Sequence, residues 1–391
     1  MKRISLALIA FSIVSSLLSG QTVLSSLAAK DARSMAMGGA FTSLGSGYQS
    51  FYGNPAGFAS GRFMLTLANA SAWGYVKPSI DNIDVLTSAI NELSGGSSGG
   101  AGGTAALIQT VGGLITSNGL GAGASAGLGF TGGGWGIGAT AIGDAYARGA
   151  TLLGTSLVGS GQVNFIGGIA VTLGPKDFNL KLGGDVRPFV RVDTAMSVMS
   201  LLGSMAAATA DPVAGIMGNE ANYGLGLLAD LGAIMTAGPL AVGLSIRDIG
   251  APFNYYSTTL ADLGTAINDP TGLSFTSATF APDITAGLSF APMPAFLSWL
   301  VDPVAYVEVR DALALLEPDA NIWNSLHAGA EIKLLNFIYL RGGLSQGYMS
   351  VGGGVDLLIL QGDIGVFTEE MGAHPGDQGR SGVAANVRLH F

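Results

Sequence analysis

Two segments carry the spacing of a nucleophilic serine, "GASAG" from Gly123 to Gly127 and "GLSQG" from Gly343 to Gly347. That pattern does chemistry where a strand turns sharply into a helix and a general base lies close. Neither segment has a helical pattern behind it, and a chain with 62 glycines produces such matches by chance. The histidines are no better placed. His327 and His390 fall in alternating segments and His374 in a loop, without a ligand spacing such as H-E-x-x-H. The glycine strings between Gly119 and Gly138 lack the GK[ST] of a phosphate loop. The expectation is a protein without catalytic residues, cofactor or metal.

The charged residues say more. In "FNLKLGGDVRPFVRVD", residues 178–193, Leu180, Leu182, Val186, Val190 and Val192 share one parity. Asn179, Lys181, Asp185, Arg187, Arg191 and Asp193 share the other. A period of two sends one set to an apolar surrounding and the other to a polar one. The same alternation puts Arg247, Glu308, Arg310, Glu331, Lys333, Arg341 and Arg388 on polar faces. Mutual pairing of these charges is one reading. The other gives a surplus of basic groups (Lys181, Arg187, Arg191, Arg247, Arg310, Lys333 and Arg341) to a carboxylate-headed ligand.

Composition indicates which elements hold them. Of 391 residues, 48% are hydrophobic and 11% charged, against about 25% charged in a soluble domain. The apolar residues are spread out, and glycine stands at more than twice its average share of about 7%, which suits neither a helical bundle nor a packed soluble core. After Lys2 and Arg3 an apolar run from Ile4 to Leu18 gives way to small and polar residues. This reads as a secretory signal peptide over residues 1–28, cut near Ala28 or Ala29. The run is short of the ~20 residues an anchor helix needs. The absence of cysteine removes disulfides and a lipid-bearing N-terminal Cys. A formal charge of −9 without a basic stripe argues against nucleic acid as a partner.

Segments of about ten residues that alternate apolar and polar, separated by turn residues, predict transmembrane β-strands. Besides 178–193 they run over 62–76, 120–131, 134–148, 161–174, 222–236, 238–248, 283–292, 302–311, 323–334, 336–345, 347–357, 359–368 and 382–391. The total is about fourteen, an even number as bacterial barrels require. Their connections alternate long and short as outer loops and periplasmic turns do, although "APMPAFLSWLVD" is long for a turn and "SQG" short for an outer loop. The stretch 225–246 is apolar enough for an inner-membrane helix. Gly238-Pro239 in its middle, and Asp230, Ser245 and Arg247 at period two, favour a hairpin. Three long connections have helical spacing instead: Ile83, Leu86, Ile90 and Leu93; Val198, Leu201, Leu202 and Met205; Leu260, Leu263 and Ile267. Such helices pack on each other as a lid or form an apolar entrance, and the two roles are compatible.

The last segment, "GVAANVRLHF", ends on Phe391. A terminal strand closing on an aromatic resembles the signal of bacterial outer-membrane barrels, which implies the barrel-assembly machinery as a partner. Near the other end, "QSFYGNPAGFAS" sets Asn-Pro between aromatics and glycines; proline fixes φ while glycine permits values other residues avoid. Arg33, Met37, Gly38 and Gly39, followed by Asn54, Pro55, Ala56 and Gly57, resemble the N-terminal region of FadL-type outer-membrane proteins, the long-chain fatty-acid and hydrocarbon transporters. The tail "HAGAEIKLLNFIYLRGGLSQGYMSVGGGVDLLIL" with "EEMGAHPG" looks like the PorV-like branch. Clear motif resemblance covers about a quarter of the chain.

The resemblance implies an all-β fold: a transmembrane antiparallel barrel of about fourteen strands over residues 62–391, with residues 29–61 folded inside it as a hatch. Arg33, Gly38, Gly39, Asn54, Pro55, Ala56 and Gly57 are its candidate hatch residues, with Asn54-Pro55 as stiffener. Family members often carry acidic residues before the aromatic pair, where this chain has Ser46-Gly47-Tyr48, so gating by charge there is in doubt. The resemblance further implies passive uptake of a hydrophobic small molecule from outer-membrane surroundings. Capture would be by apolar outer loops (Val198, Leu201, Leu202, Met205, Leu260, Leu263, Ile267) and exit sideways beside the hatch. The alternatives are a PorV-like scaffold for a secreted protein partner and a structural surface barrel.

Overall fold

The computed structural model describes residues 21–43, 45–76, 112–116, 118–149, 151, 154–175, 177–198, 217–292, 297–316 and 320–391. Its strands are β1 (Thr22–Leu24), β2 (Met64–Tyr75), β3 (Leu120–Gly132), β4 (Trp135–Ala147), β5 (Ser156–Leu173), β6 (Phe178–Ser197), β7 (Glu220–Ala237), β8 (Leu240–Gly250), β9 (Phe253–Thr259), β10 (Phe275–Phe280), β11 (Asp283–Phe290), β12 (Val301–Val309), β13 (Leu326–Leu334), β14 (Ile338–Ser345), β15 (Tyr348–Leu357), β16 (Leu360–Glu370) and β17 (Gly379–His390). Each strand from β2 to β8 pairs antiparallel with the next, β8 pairs β11, the series continues to β17, and β17 returns to β2. The result is a closed barrel of fourteen strands, one for each alternating segment of the sequence.

Alternation decides the two faces of the wall. Leu128, Ile137, Phe165, Val186, Leu227 and Ile364 point outward and are exposed, while Asn164, Asp230, Glu308 and Asn386 point inward and are buried. An exposed apolar band of this extent belongs against lipid. Among the described residues no helix is long and apolar enough to cross a membrane. The stretch 225–246 is a hairpin of β7 and β8, turned at Gly238 with φ 59°. Most tight turns lie at one rim, the turn rim, as between β3 and β4 or β15 and β16, and most longer connections at the other, the loop rim; the exceptions are those expected from the sequence, the long connection 291–300 at the turn rim and the tight turn at Gln346-Gly347 at the loop rim.

One expectation needs correction. The connection 249–282, read as a loop with helical spacing, contains the hairpin of β9 and β10. The cause lies in strand length: β6 and β7 have 20 and 18 residues, but β8 has only 11. Glu220–Gly224 of β7 therefore stand above the end of β8, and β9 takes up their hydrogen bonds, which leaves no bare edge there. The helical spacing survives only as Leu263–Asn268, a short helix between β9 and β10; Leu260 lies in the turn before it.

β1 pairs parallel with β10, Thr22 opposite Ala278 and Leu24 opposite Phe280, with Thr22 and Val23 exposed. Leu24 packs on a buried cluster of Phe189, Leu228, Phe253, Tyr255, Ala278 and Phe280. A chain cut after Ala28 loses this strand. Intact-mass measurement of protein purified from membranes is expected to give a mature chain starting at or before Thr22; a start at Ala29 or Lys30 would show that the working protein has no β1.

Candidate functional site

Of the expected hatch, 29–61, the described residues between 31 and 58 are nearly all buried against the inner side of the wall. Asp31 caps a single helical turn, Ala32–Ala36, by accepting from the Ser34 amide at 3.2 Å. Gly38 and Gly39, at φ 68° and 85°, reverse the chain. Two 3-10 turns follow, Gly47–Phe51 and Pro55–Ala59. Asn54 caps the second with Pro55 at its first position, where proline's fixed φ suits a helix start. Asn54 Oδ1 accepts from the Ala56 amide at 3.0 Å, while Nδ2 donates to the carbonyls of Thr42 (3.2 Å), Ala233 (3.2 Å) and Leu244 (3.1 Å). This fully buried side chain thus ties two passes of the hatch to β7 and β8.

Close seating requires a wall without side chains. A Cβ on Gly243 would come within 2.7 Å of Ser43 Cα, and one on Gly183 within 2.5 Å of the Pro55 carbonyl oxygen. A Cβ on Gly232 would collide with Asn54 Oδ1. Gly183 pairs in register with Gly232, and Gly243 with Gly287, so the gap runs across adjacent strands. On the far side Gly329 and Gly343 receive Met37 and Gly38 in the same way. Much of the glycine excess in the composition therefore serves hatch contact as well as turns.

Ionic contacts then fasten the hatch around its circumference. Arg33 donates twice to Glu331 of β13, at 2.9 and 2.8 Å, and once to Gln49 at 2.9 Å. Arg388 of β17 reaches Asp31 at 3.4 Å, and Lys30 pairs with Glu369 of β16. Glu308 of β12 accepts from the amides of Phe41 (3.0 Å) and Thr42 (2.7 Å), His327 donates through Nδ1 to the Gly38 carbonyl at 2.6 Å, and Arg247 of β8 donates to the Tyr52 carbonyl. Apolar packing completes the seat where Tyr48, Phe51 and Phe58 meet Ile166 and Ala170 of β5.

The lumen bases named from the sequence stand as follows. Arg187 pairs with Asp230 and Asp248, Arg191 with Asp193, Arg247 with Asp230, Arg310 with Glu308, and Arg341 with Glu331 and Asp363. Lys333 lies over the Tyr339 ring, 5.6 Å from its centre. Lys181 is half-buried near the turn rim, with no ion pair among the described residues. Of the expected capture residues, Val198 is buried against Ile115 and Ala147 beside the loop rim. Leu260, Leu263 and Ile267 are half-buried around the helix at Leu263–Asn268. Leu201, Leu202, Met205 and the spacing from Ile83 to Leu93 lie outside the described residues. Sequence reasoning missed Lys30, Asp31 and Glu369 as anchors. Their partners are hundreds of positions away, and no spacing rule spans that distance.

Cavities lie on both sides of the hatch. On the loop side are one of about 380 Å³ above Gly38 and Gly39 and one of about 200 Å³ lined by Lys30, Tyr52, Ser245 and Arg247. On the turn side is a pocket of about 290 Å³ below Arg33 and Ser46. The outer face of the wall has a groove of about 910 Å³ lined by Ala70, Ala72, Ala124, Ala126, Ala141 and Gly143, bounded by Val163 and Val190. Next to those valines the β5–β6 ladder is interrupted. Asn164 pairs with Phe189 and Gly167 with Val186 in one continuous register, but Phe165–Ile166 and Arg187–Pro188 between them form no ladder bridge. Pro188 has no N–H to donate. Inside the break sits Ile166, covered by the hatch aromatics.

No protein-family model and no curated protein matches the sequence. Among solved structures the chain is similar to the Pseudomonas putida toluene transporter TodX, with 11% identity, a TM-score of 0.47, and coverage of 94% of this chain and 99% of that one. It is similar to the CymD monoaromatic hydrocarbon channel at 12% identity and a TM-score of 0.48, covering 96% and 97%. A Pseudomonas aeruginosa FadL homologue aligns at 10% identity and a TM-score of 0.42, covering 95% and 99%.

Two substitutions test the seating. Glu331→Gln leaves Arg33 and Arg341 facing each other over a neutral amide, and removal of one member of a buried ion pair costs about 3–5 kcal/mol. Gly232→Val drives a side chain into Asn54. Both are expected to raise ion conductance across planar bilayers above that of the native protein, with heat-modifiable mobility retained. Unchanged conductance would mean that neither contact holds the hatch.

Proposed function

We propose that this protein is an outer-membrane channel for passive entry of hydrophobic small molecules, with long-chain fatty acids as the substrate class. In this reading the ligand enters from the loop rim, moves along the hatch and leaves sideways through the β5–β6 seam into the membrane. The observation that carries the reading is the coincidence of three features at one height of the wall: an interrupted ladder at Phe165–Ile166 and Arg187–Pro188, hatch aromatics against its inner side, and an apolar groove beside its outer side. A sealed barrel needs none of the three.

The chemistry asked of the protein is modest. A hydrophobic solute loses its water where apolar surface replaces it, at about 25 cal/mol per Å² removed from water, and then follows its gradient. The hatch keeps ions and water out, since its aromatics fill the space and the lumen charges bind each other. Lateral exit delivers the solute to lipid without a crossing of the aqueous side. Export by a signal peptide and delivery to the outer membrane belong to the same reading, supported by the N-terminal charge and apolar run and by the aromatic end of β17.

Uptake of toluene and of a radiolabelled long-chain fatty acid by proteoliposomes provides the test. The native protein is expected to take up at least one of them saturably. Pro188→Val, which supplies the missing N–H and zips the seam, is expected to lower the rate at least fivefold while the barrel still folds. A correctly folded native barrel that takes up neither would rule the channel out and leave the scaffold for a secreted protein. Uptake indifferent to Pro188→Val would move the exit elsewhere.

A further inference from the structure

The turn-side pocket below the hatch is not on the proposed exit path, yet its lining is chemically one-sided. Arg33, Arg62, Lys333, Arg388 and His390 line it, and Asp356 is its one carboxylate. Arg33 is committed to Glu331 and Arg388 to Asn69 and Asp31. Arg62 and Lys333 have no ion pair among the described residues. Lys333 stands opposite Asp302 in the β12–β13 register without reaching it as an ion pair. The Tyr339 ring lies near two cations, Arg341 at 4.8 Å and Lys333 at 5.6 Å from its centre.

A second observation comes from His390. The side chain is buried, Nε2 lies 3.8 Å from Asp356, and Nδ1 has no hydrogen-bond partner. His390 thus lines the pocket with hydrogen-bonding capacity to spare. The pocket volume of about 290 Å³ is at the lower end of small-molecule sites.

We propose that this pocket binds the oxyanion of a small molecule, a carboxylate or a phosphate, between Arg62 and Lys333. Two unpaired donors of this kind form charge-assisted hydrogen bonds to such a group, with the guanidinium able to engage both oxygens. The pocket opens at the rim that carries Asn336 and Leu358, beside the C-terminal end of the barrel. The ligand therefore comes from the turn side. The site does not depend on lateral exit, and it stands or falls separately from the transport of neutral solutes.

The test is calorimetric titration of the detergent-folded full chain with octanoate, inorganic phosphate and dioctanoyl phosphatidic acid, with octan-1-ol as the uncharged control. At least one anion is expected to bind saturably beyond the control. The double change Arg62→Gln with Lys333→Gln is expected to weaken that binding at least tenfold, and Lys333→Arg in the otherwise native chain to keep it within threefold. Heat-modifiable mobility verifies the fold of each variant. Phosphate and octanoate binding alike would identify a free oxyanion as sufficient; phosphatidic acid alone would identify a lipid headgroup, and octanoate alone a carboxylate amphiphile. No anion binding beyond octan-1-ol, or equal binding by the folded double variant, would overturn the site.

Discussion

The interior of a membrane offers no water to a peptide group, so each N–H and C=O of a spanning wall has to be bonded to a neighbouring strand. In this chain that condition is met by one closure, β17 on β2, reinforced by reciprocal hydrogen bonds between Leu65 and Phe391 at 2.9 Å. Every other feature is arranged around it. The period-two alternation turns apolar side chains to lipid and polar ones inward, and a polar interior requires something that pairs with it. The hatch supplies that partner along with the lumen charges themselves. The ladder shifts register at Leu389/His390, Thr66/Asn69 and Ala229/Leu231, whereas at Pro188 the bridges lapse at two positions on each strand and the register resumes unchanged on either side.

The hatch is held by two kinds of contact with different tolerances. Its backbone meets wall backbone over glycines, a fit that any side chain at Gly183, Gly232 or Gly243 disrupts. Its charges meet wall charges that are shared: Glu331 serves Arg33 and Arg341, Glu369 serves Lys30 and Arg380, and Glu308 serves Arg310 and two hatch amides. Sharing matters energetically, because a buried ion pair gains little over an apolar pair while an abandoned buried charge costs several kcal/mol. When a hatch group lets go, its wall carboxylate still has an arginine. These three wall carboxylates are thus neutralised from the wall side as well as from the hatch, whereas Arg388 of the wall finds its counter-charge on the hatch, at Asp31.

Much of this was legible in the sequence, for physical reasons that can be named. Period two is imposed by strand geometry, so residues 178–193 could be divided into their lipid and lumen faces before any coordinates, and the fourteen alternating segments all became wall strands. The Asn-Pro-Ala stretch announced a stiff turn because proline acts locally. The hairpin of β9 and β10 was not legible: its need arises from the difference in length between β7 and β8, a property of neighbours and not of residues 253–280. The partners of the lumen charges were equally hidden, since Arg33 and Glu331 are 298 positions apart. The interrupted ladder was half visible, as a proline in mid-strand, but its alignment with the hatch aromatics and the outer groove exists only in three dimensions.

The Arg388–Asp31 contact joins residues 357 positions apart and lies across the closing strand. The hatch precedes every wall strand in the chain, yet many of its anchors, on β12, β13, β16 and β17, lie in the second half of the sequence. Contacts of such sequence separation carry a large loop-closure entropy. The same short segment thus touches wall strands from both halves of the chain, Ala233 and Leu244 through Asn54 at one side and Glu331 and Arg388 through Arg33 and Asp31 at the other, and so ties together parts of the wall that the sequence keeps far apart.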